Sequence, residues 1–205
     1  MTSTTTTAAT ATAVGPEALE ALFTGARTPN RWTDEPVTDE QVAAVLELAK
    51  YPPTSMNTQP MRLLLVRSPE ARERLATMMS GSNGDKTRSA PLSVVVAADR
   101  RFDEELPRLF PHYPGARDLF ADAGYRERTA VFNTALQLGY LIMAVRAVGL
   151  SAGPMTGIDA PAIEREFFPD GEHEVVAVVN VGVADPAGFR PRGPRLSHEE
   201  VVRTV

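Results

Sequence analysis
A chain of 205 residues, 43% of them hydrophobic, is long enough to fold as one domain around a substantial core. Its formal net charge of −5 argues against bulk attraction to nucleic acid or an anionic membrane, while leaving room for a local basic pocket. With no cysteine there are no disulfides or thiolate ligands, and His112, His173 and His198 show no metal-ligand spacing, so no metal site is expected.

Residues 1–14, MTSTTTTAATATAV, are low-complexity Thr and Ala. They lack the basic start and continuous apolar run of a secretory signal, which predicts a disordered tail, a cytoplasmic protein and a single domain over 15–205. Gly15-Pro16 opens a first helix with Leu19, Leu22 and Phe23 on one face, stopped by Gly25. Thr38 with Gln41 forms a capping box for a second helix, striped by Val42, Val45, Leu46 and Ala49 and ended by Pro52 and Pro53.

A strand is expected from Arg62 to Val66, then a helix capped at Ser68-Pro69 and a loop at 80–84. The β-branched run Val94 to Val96 reads as a buried strand. Residues 99–128, charged, aromatic and proline-bearing, read as a partly helical surface excursion and the candidate substrate lid. Ala130 to Val145 contains no charged residue, which predicts a helix apolar on nearly every side and a dimer interface along it. Gly149 ends it, Asp159 caps a short helix through Phe168, and Val175 to Val183 is the strongest strand. Ser197 with Glu200 caps a last helix. Strands and helices alternate without a βαβ repeat, which predicts an α+β layered domain.

Four segments could carry chemistry. Arg27, Thr28, Asn30 and Arg31 place guanidinium forks and a hydroxyl after a helix, a set suited to phosphate. In PPTSMNTQP, residues 52–60, small polar side chains can bond a heterocycle edge or their own backbone. Gly153 and Gly157 bracket a turn that permits close approach to a flat ligand. Arg190, Arg192 and Arg195 make a stiff basic segment after the last strand. No Gly-x-Gly-x-x-Gly follows a strand, so a Rossmann nicotinamide site is not indicated.

In this order, ARTPNRWTDEPV (26–37), PPTSMNTQP (52–60), APLSVVVA (90–97), LFPH (109–112), FNTALQLGYLIMAVRAVGL (132–150), GPMTGID (153–159) and PRL (194–196) resemble the nitroreductase family. The malonic semialdehyde reductase branch is the nearest. The resemblance covers roughly 16–205 and implies an α+β layered fold, a central mixed sheet flanked by helices, and an intertwined homodimer with FMN at the subunit interface.

It further implies that Arg27, Thr28, Arg192 and Arg195 hold the phosphate end, and that Ser55 and Asn57 come from the other subunit. Gln59, Asn83 and Lys86 would neighbour the flavin, Met155, Thr156 and Gly157 would face it, and either Asn30 or Arg31 would lie near its N1. Thr156 stands where many relatives carry Glu, and NTQPM replaces the branch's more compact loop. The implied activity is NAD(P)H-driven reduction of a small carbonyl resembling malonic semialdehyde, or of a nitro or quinone compound. Phe110, His112, Tyr113 and Phe120 are the candidate substrate contacts. A flavin-dependent dehydrogenase or desaturase of a biosynthetic pathway, reoxidised by oxygen, and a flavin-binding protein without turnover are the alternatives.

Overall fold
Two valine-rich segments form the centre of the sheet in this computed structural model, which describes residues 13–205. The expected tail lies, up to residue 12, outside the described residues. The strands are β1 Met61–Val66, β2 Leu92–Asp99, β3 Ser151–Met155 and β4 His173–Gly182, in the order β1-β2-β4-β3. Every ladder among them is antiparallel, where a mixed sheet is expected. The reason is the connection between β1 and β2. Two helices, α3 Pro69–Thr77 and α4 Asn83–Ser89, pack on each other and return the chain, so Ser93 starts beside Val66.

Helices cover both faces. On one, α2 Asp39–Ala49 and the long α6 Ala123–Ala147 bury Val45, Leu141 and Val145 against Leu92, Val94, Val96, Val179 and Val181. On the other, Leu75 of α3 and Ile163 of α7 Ala160–Phe167 pack on Val95, Ala97 and Val178. The alternation along β2 and β4 is the period-2 pattern of a strand buried on both sides. The remaining helices are short: α1 Pro16–Leu19, which runs into a π-helical turn at Glu20–Thr24, α5 Leu106–Leu109 and α8 His198–Val201.

The Thr38–Gln41 capping box forms in both directions at α2, and Ser68 and Asp159 cap α3 and α7 as their sequences predict. By length and composition alone α6 could cross a membrane, but its Leu141, Ala144 and Val145 are core. Its buried face also carries Asn133, Thr134 and Gln137, while Phe132 stands 65% exposed with Leu136 and Tyr140 on the same stripe.

Two expectations change. Residues 83–89 are helix, and Ser151 to Met155 are an edge strand with Gly153 opposite Asn180, so the glycine there sits in a ladder and not in a turn. The 99–128 excursion is largely structural. Phe102, Leu106, Ala116 and Phe120 form their own buried cluster with Ala98 and Ala130. Phe120, at 1% exposure, meets Phe102 edge-on at 5.0 Å, which corrects its expected substrate role. At its tip His112 and Tyr113 are exposed and Phe110 is half-buried.

Candidate functional site
Pairing beside β4 brings two distant basic segments together. Thr33 N–H donates to the Val183 carbonyl at 2.9 Å, Asp185 N–H to that of Arg31 at 3.1 Å, and Asn30 N–H to that of Gly188 at 3.1 Å. The Asn30 amide adds a second bond to the Gly188 carbonyl, also 3.1 Å. This approach requires glycine at 188, since a Cβ there would stand 2.6 Å from Arg31 N.

The result is a cavity of about 340 Å³ lined by Arg27, Thr28, Asn30, Arg146, Arg190, Arg192 and Arg195, with no carboxylate among the described residues of its wall. Arg192 donates to the Thr24 and Ala26 carbonyls at 2.6 and 3.0 Å, Arg146 to that of Leu22 at 2.9 Å, and Arg27 lies over the Phe189 ring. Burial, together with the Arg192 charge, holds the Arg146 guanidinium below its ordinary pKa. An anion would relieve that repulsion, and a phosphate offers the oxygens to accept several forks at once. Arg31 points elsewhere. It pairs with Asp185 at 3.1 Å and lines neither this cavity nor the one beside it, whereas Asn30 lines this one.

Thr28 also borders a second cavity of about 160 Å³, with Pro29, Trp32, Asn83, Lys86, Gly153, Pro154, Met155 and Asn180. Helix α4 supplies two of these one turn apart. Asn83 donates to the Gly157 carbonyl at 3.2 Å, and Lys86 reaches Asn83 Oδ1 at 3.4 Å. Asn180 is buried in the ladder between Ser93 and Gly153, and Ser93 Oγ donates to its Oδ1 at 2.7 Å. Trp32 lies against Gly153 and Gly182, where a Cβ would meet its ring at 3.2 Å, and its buried Nε1 has no acceptor among the described residues. The slot therefore combines apolar walls with N–H donors, suited to a flat heterocycle with an accepting edge. Met155 lines it, whereas Thr156 and Gly157 lie just beyond, with the Gly157 carbonyl taken by Ser80 and Asn83.

Ser55, Asn57 and Gln59 line neither cavity. They occupy a loop whose Met56, Asn57 and Gln59 have φ of 49°, 55° and 42°. Ser55 and Asn57 are exposed. Sequence reasoning missed Arg146, a lone cation at the end of an apolar helix. It also missed Trp32 and Asn180, whose polar atoms become notable only when the fold buries them.

A profile of the Nitroreductase family matches residues 24–183. A protein of Streptomyces coelicolor, named as a candidate NADH dehydrogenase/NAD(P)H nitroreductase, is 52% identical over 191 residues, covering 93% of this chain and 97% of its own. A candidate nitroreductase of Exiguobacterium sibiricum, solved in complex with FMN, superposes with a TM-score of 0.82 at 19% identity, covering 95% of this chain and 100% of that one. One from Bacillus subtilis gives 0.81 at 21%, covering 92% and 99%. At such identities the two structures speak for the fold alone. The profile spans most of the chain and the Streptomyces relative nearly all of it, and the chain belongs to the nitroreductase family.

Proposed function
We propose that the protein is an FMN-dependent NAD(P)H oxidoreductase, working in the cytoplasm as a homodimer on a small carbonyl, nitro or quinone compound. The observation that carries this reading is the carboxylate-free arginine cavity opening beside a donor-lined slot, with Thr28 common to both. Together they fit a phosphate on a short chain attached to a flat polar ring. The repulsion at Arg146, which lines the arginine cavity, is what a bound anion would answer. The FMN complex of the Exiguobacterium protein and the NAD(P)H in the Streptomyces relative's name support the same choice of cofactor and donor.

FMN, when bound, supplies the ring that accepts and donates hydride. The chain's part is to bind, orient and shield. Arg27, Arg192 and Arg195 hold the phosphate, with Arg146 and Arg190 completing the positive wall. Asn83, Lys86 and Asn180 offer donors to the ring edge, and Met155 and Pro154 pack on it, with Thr156 and Gly157 at the rim. No side chain is assigned an acid or base role. Phe110, His112 and Tyr113 cap the acceptor, with the Phe110 and His112 rings 3.9 Å apart. A malonic semialdehyde-like carbonyl is the acceptor to try first, on the similarity of the sequence motifs to that branch.

The homodimer rests on two features. Phe132, Leu136 and Tyr140 form an exposed apolar stripe on α6, and Ser55 and Asn57 are exposed and lie apart from the cavities in their own chain, available to those of a second copy. Titrating the apoprotein with FMN and with riboflavin tests the cofactor assignment. The arginine wall predicts that FMN binds about 100-fold or more tightly than riboflavin, because each charge-assisted bond to phosphate contributes about 1.5–3 kcal/mol. Equal affinity would remove the phosphate site.

A further inference from the structure
The 54–61 segment holds an unusual backbone. Three of its residues, Met56, Asn57 and Gln59, are left-handed, and none is glycine. Such conformations persist only where the surroundings over-determine them. The surroundings here are two carboxamides one turn apart on α6. Asn133 and Gln137 are 2% and 4% exposed. Asn133 Oδ1 accepts Ser55 N–H at 2.8 Å, while its Nδ2 donates to the Thr129 carbonyl at 2.8 Å, which fixes the orientation of the amide. Gln137 Oε1 accepts Met61 N–H at 2.9 Å. Both ends of the loop are thus fastened to one rigid helix.

The loop is also tied outward. Asn57 Nδ2 donates to the Leu109 carbonyl at 2.9 Å, and Gln59 Nε2 donates to Asn57 Oδ1 at 2.8 Å. Leu109 ends α5 and immediately precedes Phe110. One side chain therefore joins the loop to the tip that carries Phe110, His112 and Tyr113.

We propose that Asn133 and Gln137 are positioning residues of the site: they clamp residues 55–59 in the form that presents Ser55 and Asn57, and Asn57 passes that geometry to the 109–113 tip. This rests on the flavin reading above for the role of the loop, whereas the clamp itself is geometry of the bare chain. Loosening the clamp should then weaken cofactor binding and acceptor affinity together, with turnover less affected.

The test compares Gln137→Met and Asn133→Leu with Gln137→Glu, which keeps the accepting oxygen. Amide hydrogen exchange of the full-chain apoprotein is read at 54–61 and 109–113, FMN affinity by fluorescence titration, and KM against kcat on the loaded enzyme. The apolar variants should exchange about tenfold faster in both segments and bind FMN about tenfold more weakly, the scale of one lost hydrogen bond. KM for the acceptor should rise more than kcat falls, and Gln137→Glu, read at about pH 5 where a buried carboxyl is neutral, should lie closer to wild type than Gln137→Met. Should Asn133→Leu fail to fold, Gln137→Met loosens the other end of the same loop. Variants that lose thermal stability yet keep wild-type exchange and FMN affinity would reduce the two amides to core filling and overturn the proposal. Wild-type protein that takes up no FMN would instead overturn the functional reading, and the exchange data would still report whether the clamp exists.

Discussion

Gly188 shows how a single missing side chain assembles the basic site. Its absent Cβ lets residues 30–33 lie along 183–188, which carries Arg27 next to Arg190, Arg192 and Arg195. Gly188→Ala should therefore lower stability by about 1–3 kcal/mol, as overpacking against backbone does, and a denaturant melt checks it. The double change Arg27→Ala with Arg195→Ala should leave the fold intact and weaken FMN retention about 100-fold, because two charge-assisted partners are lost. Unchanged flavin occupancy after gel filtration would contradict the phosphate assignment. Those arginines were legible because they crowd into two short segments with no neighbouring acid. Arg146 was not, since one cation closing an apolar helix looks like a solvated end. Phe120 misled for the converse reason: an aromatic in a charged stretch resembles a lid residue, and only tertiary packing shows it sealed against Phe102.

Helix ends were the most readable elements, because a cap is a local hydrogen bond written in adjacent residues. The reciprocal Thr38–Gln41 box, with Thr38 N–H donating at 2.9 Å and Gln41 N–H at 3.2 Å, begins α2 where expected. Thr38→Ala should lower stability by about 1 kcal/mol, and a thermal melt should fall by about 2–4 °C. Helix α4 escaped notice because Ser82 makes no side-chain cap and Gly84 reads as a breaker, although a Cβ at that glycine would press on the Ala76 carbonyl at 2.8 Å. Strand β3 was hidden by Gly153-Pro154, residues that punctuate loops in most sequences. Both gaps matter, since α4 brings Asn83 and Lys86 to the slot and β3 brings Met155. The antiparallel sense of the sheet depends on how α3 and α4 pack, which no single segment encodes.

For the whole molecule, the apolar character of α6 was legible, but its division into two faces was not. The inner face packs on the sheet and holds the carboxamides, and the outer face leaves Phe132, Leu136 and Tyr140 exposed. Sedimentation of the wild-type protein should give the mass of two chains. Phe132→Asp should shift it toward one chain and release FMN, since a charge in an apolar interface is strongly unfavourable and half of each proposed site would leave with the partner. The central claim, a flavin that NAD(P)H reduces, is tested most directly by the visible spectrum of the purified protein loaded with FMN, recorded before and after NADPH is added without oxygen. Bound-flavin bands that bleach on NADPH, and return when an acceptor such as malonic semialdehyde or a quinone is added, are the predicted result. A protein that retains no FMN, or whose flavin bands persist in excess NADPH and NADH, would contradict it.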